Sequence, residues 1–334
     1  MVYIYKKPAS AGKNYYYLRA SEKKGEKLVT KDIAYLGSSI EEVKVSLEKL
    51  SKYKDKIRKS YKVLNTFLES NHFLEKVKKL KIKQDFFLKD KTNEIEACKM
   101  HYSEVFNKMP ELTKREIFKN YVIEFAYNTA SIEGNTINLQ EARNLLNDGI
   151  TPKDRTLREV YDLQNTQKVF FELLGANKMS LNHDLIMHIH DELLENIDER
   201  KRYRTTDIRV VHSNFDASPG QYVKTDMELL LRWFNENESK VHPLVLAMVF
   251  HHKFERIHPF SDGNGRTGRM IANYILLKSN LPPMIVHKKT RKEYLEAMRE
   301  ADESDLWKLE ESKYADLISY GVSQFIETYW SIFL

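Results

Sequence analysis

The sequence predicts a mainly α-helical protein, with a small β-sheet near its amino end and a helical bundle after it. The chain has 334 residues, of which 42% are hydrophobic and 31% charged, and it contains only 11 glycines and 8 prolines. This composition favours a folded, largely helical chain over a disordered or many-turned one. Apolar residues also recur at helical spacing through most of the chain after Thr113.

Residues 1–91 are predicted to form a basic amino-terminal module. Runs rich in Tyr, Val and Ile alternate with turn-forming stretches, which is typical of a small β-meander; the runs are 2–5, 14–20 and 28–35. Ser39, followed by acidic residues, then indicates the start of a helical stalk. The module carries 23 Lys and Arg against 11 Asp and Glu, whereas the rest of the chain is net acidic. Its Lys-rich segment 76–91 is expected to be a solvated helical face, with nucleic-acid binding left open.

The remaining chain is predicted to be helical throughout, apart from one β-hairpin. Its divisions are a linker with a long helix at 92–137, a helical core at 138–310 and a carboxyl-terminal helix at 311–334. Residues 205–224 break the helical pattern, because short alternating runs flank a Ser-Pro-Gly turn there.

A reducing, cytoplasmic location is expected, since the single cysteine, Cys98, cannot form an internal disulfide and no secretory signal pattern begins the chain. The apolar stretch Ile318–Leu334 contains Gln324 and Glu327 and therefore predicts an amphipathic helix rather than a membrane span. No contact with a membrane is expected, and a homodimer is left open.

The stretch from His258 to Arg269 contains the residues suited to chemistry. It has the sequence HPFSDGNGRTGR and lies between two apolar helical patterns. Pro259 should end the first helix at His258, because the residue before proline is disfavoured in helical geometry. Gly263 and Gly265 allow backbone conformations in which amide groups converge on an anion where the next helix begins. The sequence therefore predicts a histidine that faces an anion-binding loop.

Two arginines and a carboxylate extend this site toward a polyphosphate. Arg266 and Arg269 are three residues apart, hence on one helical face, and their side chains lean back toward the helix start. Two guanidinium groups suit a polyphosphate better than a monophosphate. Asp262 adds a hard oxygen ligand of the kind that Mg²⁺ shares with phosphate oxygens. Together these groups indicate phosphoryl-type transfer by positioning and electrostatics.

The same residues resemble the signature of the Fic family, H-x-F-x-(D/E)-G-N-G-R-x-x-R, and every specified position is matched. The resemblance runs from residue 113 to residue 310. It implies a helical bundle with a β-hairpin flap, with residues 138–310 as the catalytic core. It also implies transfer of AMP from ATP to a Ser, Thr or Tyr hydroxyl of a target protein or of the chain itself. ATP is then the substrate and Mg²⁺ the metal.

The resemblance also implies roles for individual residues. His258 would be the general base and Asp262 the metal ligand. The expected nucleotide-binding residues are Asp262, Gly263, Asn264, Gly265, Arg266, Thr267, Gly268, Arg269 and Tyr294, with Val211, His212 and Ser213 near the middle of the flap. Tyr294 would contact adenine. Asp302 stands where an asparagine contact would be expected, which leaves the choice of base open.

An inhibitory element is implied as well. The run from Thr129 to Gly134, TASIEG, is similar to the family's motif (S/T)-x-x-x-E-(G/N). This similarity implies that Glu133 pairs with the second signature arginine, Arg269, and restrains transfer. The helix within 92–137 would then be an inhibitory helix.

Alternatives to AMP transfer stay open at this stage. Glu133 could orient a water molecule for the reverse reaction, removal of AMP from a target. Transfer of another group is disfavoured, because both arginines suited to a triphosphate are present. The chain could also act mainly as a nucleic-acid-binding or partner-binding regulator through residues 1–91. A transition-metal site at His251, Glu255 and His258 is disfavoured, because an intact H-E-x-x-H pattern is absent.

Overall fold

A three-stranded antiparallel sheet begins the fold, as the Tyr-rich runs predict. This computed structural model describes residues 1–9, 13–24, 27–176, 179–209 and 216–334. The strands are β1 (Val2–Pro8), β2 (Asn14–Lys24) and β3 (Lys27–Gly37), in the order β1-β2-β3. Alternate side chains of β1 and β2 are buried on one face, and they include Val2, Ile4, Tyr16, Leu18 and Ala20.

Three helices follow the sheet: α1 (Ile40–Lys49), α2 (Lys54–Lys59) and α3 (Tyr61–Leu80). α1 begins where predicted, because the Ser39 hydroxyl accepts a hydrogen bond from the Glu42 amide at 3.2 Å. Leu64 of α3 packs with the sheet, whereas Val77 belongs to the large core of the later helices. α3 therefore contributes to two cores, and the division at residue 91 stays a prediction.

The Lys-rich segment 76–91 is helical mainly in its first part. α3 ends at Leu80, and Lys81 takes a left-handed conformation with a φ of 49°. Leu88 is buried in the large core. The expectation of one solvated helical face is therefore wrong beyond Leu80, because the chain turns there to bury an apolar side chain.

The rest of the described chain is a helical bundle. Its helices are α4 (Thr92–Glu104), α5 (Glu111–Ile132), α6 (Leu139–Asp148), α7 (Leu157–Gly175), α8 (His183–Leu193), α9 (Val223–Asn237), α10 (Pro243–Ile257), α11 (Asn264–Lys278), α12 (Arg291–Ala301) and α13 (Glu311–Ile332). One large core contains buried side chains from helices α3 through α5 and from helices α7 through α13. A smaller core fills the space between α5, α6 and α7.

α10 is the central helix of the bundle. Its residues from Leu244 to Phe254 are all buried, which is typical of a helix surrounded by others. It packs against α9, α11 and α13. The loop 258–263 joins α10 to α11. The signature residues therefore lie in this loop and in the first turns of α11.

The predicted hairpin at 205–224 is corrected in part. Residues 205–209 and 216–219 contain no strand, Gly220–Tyr222 forms a 3₁₀ turn, and α9 begins at Val223. The predicted return strand at Tyr222 and Val223 is wrong, because the Val223 side chain is fully buried in the helical core. Val211, His212 and Ser213 lie outside the described residues.

None of the described helices combines the length and the hydropathy that crossing a membrane needs.

Candidate active site

His258 ends α10 in a left-handed backbone conformation. The helix stops at Ile257, before Pro259, as predicted. His258 has a φ of 52° and a ψ of 62°, and its N–H still donates to the Phe254 carbonyl at 2.9 Å. Such a conformation costs a non-glycine residue about 1–3 kcal/mol and persists only where surrounding contacts hold it.

The His258 ring is arranged to accept a proton. Its Nδ1 lies 3.2 Å from the Glu255 carbonyl oxygen, which can only accept a hydrogen bond. The proton of the neutral ring therefore lies on Nδ1, and Nε2 keeps a free lone pair. Burial lowers the pKa of His258; the hydrogen bond to Glu255 raises it, and the charge of Arg204 lowers it further. The net lowering keeps the imidazole neutral at pH 7.

The loop after His258 is held by packing and by one asparagine. Phe260 is fully buried, and its ring stacks on His190 with centroids 3.6 Å apart. The Asn264 side chain accepts from the Phe260 amide at 2.9 Å and donates to its carbonyl at 2.8 Å. Gly263 has a φ of 79°, a conformation that favours glycine. The loop is thus fixed at both its apolar and its polar positions.

Both signature arginines are buried on α11, and each already has a carboxylate partner. Arg266 pairs with Asp162 of α7 and lies 3.5 Å from Asp262. Arg269 donates from Nε to the Thr129 hydroxyl at 2.7 Å and from Nη2 to Glu133 Oε1 at 2.6 Å. The neighbouring carboxylate of Glu133 helps to raise the pKa of Arg269 against the effect of burial.

Glu133 reaches the amino end of α11. It follows the last turn of α5, and its side chain remains 43% exposed. A Cβ atom at Gly265 would collide with Glu133 Oε1, so the carboxylate lies directly over this glycine. Glu133 therefore occupies the position that an anion would take at the helix start.

Asp262 is the one signature carboxylate in the cleft. It accepts hydrogen bonds from the Gly263 amide at 2.6 Å and from Arg158. Burial would raise the pKa of Asp262, but Arg266, the Gly263 amide and Arg158 outweigh burial and lower it. The ionised carboxylate suits Mg²⁺ if phosphate oxygens supply the other ligands, because Mg²⁺ usually takes one or two protein carboxylates beside them.

The transition-metal interpretation finds no support in the described geometry. His251 Nε2 lies 2.6 Å from the Tyr294 hydroxyl and is engaged there. Among the described residues, no group of three or more His, Cys, Asp or Glu side chains is arranged to hold a metal.

These groups line a single cleft of about 750 Å³. That volume lies within the usual range for small-molecule sites. Its lining includes Arg158, Asp162 and Asp262 together with Glu133, His258 and Arg269. α12 contributes Tyr294, Leu295, Met298, Arg299 and Asp302. The cleft therefore combines many charged side chains with apolar ones from α12.

The predicted residues divide by position. Asp262, Gly263, Asn264, Gly265, Arg266, Arg269 and Tyr294 line the cleft, as do His258 and Glu133. Thr267 and Gly268 are buried behind its wall, since Gly268 faces His251. Asp302 lines the cleft beside the other α12 residues and pairs with His252 Nε2 at 3.1 Å.

Sequence reasoning assigned no role to several residues that the fold brings to the site. They are Arg158, Asp162, Arg204 and Leu295; for Thr129, which begins the inhibitory-like run, the contact with Arg269 was not predicted. Glu255 is largely buried, and burial together with the charge of Glu133 raises its pKa to about 8 against the effect of Arg269. Its spacing of three from His258 was the only available signal, and it led to the metal interpretation.

The chain is similar in sequence to proteins of the Fic family. Residues 180–276 match the model of the Fic/DOC family. Protein adenylyltransferase fic-1 of Caenorhabditis elegans is 30% identical over 210 residues, covering 60% of this chain and 41% of that protein. Protein adenylyltransferase Fic of Culex quinquefasciatus is 31% identical over 199 residues, covering 56% of this chain and 38% of that protein. The alignments thus span less than half the length of these relatives.

Solved structures share the fold. A Fic-domain-containing signaling protein from Bacteroides thetaiotaomicron matches with a TM-score of 0.63 at 21% identity, covering 70% of this chain and 94% of that one. Fic-1 from C. elegans matches with a TM-score of 0.60 at 22% identity, covering 87% of this chain and 76% of that one.

Proposed function

We propose that this chain, which is similar to Fic-family proteins, transfers AMP from ATP to a Ser, Thr or Tyr hydroxyl of a target protein. One observation carries the proposal: a proton-accepting His258 faces the amino end of α11 and two buried arginines within one cleft. A base placed beside an anion-binding site is the arrangement that attack of a hydroxyl on a phosphate requires.

His258 would act as the general base. Its Nε2 takes the proton of the target hydroxyl as that oxygen attacks the α-phosphorus of ATP. The new oxygen–phosphorus bond forms while the bond from the α-phosphorus to pyrophosphate breaks, and pyrophosphate leaves. The enzyme needs no covalent nucleophile, because the target hydroxyl itself attacks. A correctly placed base contributes about 10²–10⁴ in rate.

The rest of the cleft would bind the nucleotide. Amide groups around Gly265 and the guanidinium groups of Arg266 and Arg269 suit the phosphates. Adenine would lie beside α12, against Tyr294 and Leu295. Asp262 would hold Mg²⁺, which neutralises phosphate charge when bound. Arg158, now paired with Asp262, is 56% exposed and free to turn toward solvent.

Glu133 would restrain this reaction. Its carboxylate lies over Gly265 and accepts a hydrogen bond from Arg269, so it competes with the γ-phosphate for the same donors. ATP could still bind through its other contacts, but with the α-phosphate out of line for attack.

Labelled ATP tests the proposed reaction directly. The parent protein and the Glu133→Gly variant are incubated with ATP labelled at the α-phosphate or at the γ-phosphate, and self-modification is followed on gels. His258→Ala serves as the control. Label from the α position alone supports AMP transfer, whereas label from the γ position alone means kinase chemistry. Absence of both from every active-site-intact protein and from added candidate targets contradicts the proposal.

The reverse reaction is separated with the protein's own product. Glu133→Gly protein that carries α-label is purified free of ATP and mixed with unlabelled parent protein. Release of labelled AMP would assign hydrolysis to the parent and give Glu133 the role of orienting water. Stable label supports transfer as the main activity.

Asp262→Asn is predicted to reduce transfer at least about tenfold and to move the Mg²⁺ titration to higher concentration, because the amide keeps the shape but loses the charge that fixes the ion. Transfer rate against Mg²⁺ concentration is the measurement. Asp198→Asn is the control, since Asp198 pairs with Arg200 and does not line the cleft. Superposable titrations of parent and Asp262→Asn would rule Asp262 out as the ligand.

A second candidate function rests on the outward face of the amino-terminal sheet. Opposite the buried face, the strands carry Tyr3, Tyr5, Tyr15, Tyr17 and Tyr35. Tyr17 pairs in register with both Tyr5 and Tyr35, and the Arg19 guanidinium lies 3.4 Å from the Tyr5 ring centroid. Aromatic rings beside basic groups suit stacked bases and phosphates of single-stranded nucleic acid.

Binding of a labelled single-stranded oligonucleotide over a range of salt concentrations tests this candidate. Tyr35→Ala and Arg19→Gln should each weaken binding several-fold, and affinity should fall steeply with salt. Tyr61→Ala is the control, because Tyr61 is an exposed tyrosine on α3 and does not belong to the sheet. Equal affinity of all four proteins would remove the candidate.

The setting of the enzyme is part of the same proposal. Cys98, the single cysteine, is buried and free, which fits a reducing cytoplasmic compartment. The labelling experiment tests self-modification and the choice of target protein. Measurement of mass in solution tests whether the protein forms a homodimer.

A further inference from the structure

Arg204 is a buried arginine that lies directly behind His258. Its guanidinium group donates to the carbonyl oxygens of His258 at 2.7 Å and Ile257 at 3.1 Å. It also donates to the carbonyl oxygens of Thr206 at 2.8 Å and Ser218 at 2.6 Å. Only 5% of the residue is exposed. One side chain therefore bonds to four backbone carbonyls.

Two of these carbonyls belong to the carboxyl end of α10. The last carbonyls of a helix have no partner within it and carry its negative partial charge. A buried cation is costly without compensation, and here backbone carbonyls provide it. The backbone of Arg204 adds a bond from its N–H to the Pro259 carbonyl at 2.9 Å. Arg204 thus holds the backbone on both sides of His258.

The other two carbonyls lie at the two ends of the segment 205–219. Asp207 strengthens the same junction by accepting a hydrogen bond from the Gly220 amide at 2.7 Å. A Cβ atom at Gly220 would collide with the backbone of Thr205, so the two ends of the segment pass in close contact. Arg204 therefore connects both ends of this segment to the end of α10.

We propose that Arg204 is a positioning residue for His258, and that it joins the proton-accepting ring and both ends of segment 205–219 into one rigid unit. The interpretation of His258 as a base rests on the proposed function. The contacts that hold its left-handed backbone in place do not depend on that function.

The charge of Arg204 gives this role a measurable signature. Besides Arg204, the charged groups near His258 are Glu255 on its own helix, Glu133 at the end of α5 and Asp262 in the loop. Burial is the main cause of the lowered pKa of His258, and the Arg204 charge lowers it further. Replacing Arg204 with a neutral residue should therefore raise the pKa of the His258 imidazole.

The first test needs no enzymatic activity. The His258 ring is titrated by NMR in ¹⁵N-histidine-labelled parent, Arg204→Gln and Arg204→Lys proteins, and its signal is identified by its loss in His258→Gln. We expect a higher His258 pKa in Arg204→Gln and a smaller change in Arg204→Lys, which keeps the charge. Arg256→Gln is the matched control. Arg256 lies on α10 near His258 and, like Arg204, donates to a backbone carbonyl, that of Ser304, at 2.6 Å.

The second test measures transfer in the Glu133→Gly background. We expect Arg204→Gln to reduce kcat by about tenfold to a hundredfold with little change in KM for ATP, because a displacement near 1 Å costs this much. The acid limb of the pH profile should move to higher pH, since transfer requires neutral His258. Arg204→Lys should restore part of the rate. Arg256→Gln should lower the melting temperature without moving the pH profile.

Each outcome decides the proposal. An unchanged His258 titration in Arg204→Gln, with a loss of melting temperature like that of Arg256→Gln, would reduce Arg204 to a structural residue. If Arg204→Gln does not fold, Arg204→Lys takes its place, and a kcat identical to that of the parent would overturn the proposal, because lysine cannot bond to all four carbonyls. Failure of the proposed function appears differently, as absence of α-label transfer in every protein while the NMR shift persists.

Discussion

His258→Ala is expected to abolish AMP transfer, with a loss of about two to four orders of magnitude, while ATP binding remains largely intact. In the proposed reaction the ring would accept the proton through Nε2, because Nδ1 is already committed to the Glu255 carbonyl at 3.2 Å. The imidazole would not be required to hold phosphate, which is assigned in the proposal to the α11 amides and arginines. Single-turnover transfer of α-label measures the first effect, and calorimetric titration with ATP measures the second.

His183→Ala is a suitable control for this experiment. His183 Nδ1 lies 3.1 Å from the Tyr203 hydroxyl, and the residue does not line the cleft. Its replacement should leave transfer near the parent rate. Undiminished transfer by His258→Ala would exclude the base assignment, and loss of ATP binding would instead mean that the histidine shapes the nucleotide site.

The features that sequence reasoning predicted correctly are local in the chain. Pro259 ends α10, and the Gly-Asn-Gly turn begins α11, because backbone preferences act on immediate neighbours. The amphipathic and apolar repeats likewise predicted the helices, since their period is set within a few residues. A signature contained in twelve consecutive residues could therefore be interpreted before its surroundings were known.

The missed features join segments that are distant in sequence. Arg266 pairs with Asp162, which is 104 residues away, and Arg204 reaches the His258 carbonyl 54 residues away. Nothing in the local pattern of Arg204 distinguishes it from a surface arginine. The raised pKa of Glu255 likewise depends on burial by the surrounding helices and on Glu133, which α5 brings into range. Such properties are set by tertiary packing alone.

The two incorrect local predictions have a shared cause. Tyr222 and Val223 have high strand propensity, yet Val223 starts α9 because its side chain fills the helical core. The Lys-rich composition of 76–91 favoured a solvated helix, yet Leu88 is drawn into the core after the helix ends. In both places the burial of one apolar side chain outweighed the local propensity.

Glu133→Gly is expected to raise AMP transfer by about a hundredfold, since correcting a misplacement near 1 Å is worth that much. Removal of the carboxylate uncovers Gly265 and frees one N–H of Arg269 Nη2, while Thr129 still holds Arg269 through its hydroxyl at 2.7 Å from Nε and its carbonyl at 3.1 Å from Nη2. The arginine is thus already oriented for the γ-phosphate. Glycine fits the position, because Glu133 follows the end of α5 and lies outside the helix.

Initial rates of self-modification at saturating ATP measure this effect, and ATP affinity is compared in the non-transferring His258→Ala background. Glu133→Gln should also activate, because it removes the charge that pairs with Arg269. Glu124→Gln is the matched control: Glu124 lies on α5, the helix that precedes Glu133, and pairs with Arg143 at 2.6 Å, outside the cleft. The rate should rise much more than the affinity, because Glu133 is 43% exposed and would need only to move aside for ATP to bind in the parent. Equal rates for parent, Glu133→Gly and Glu133→Gln, all folded, would show that the ion pair with Arg269 does not restrain transfer.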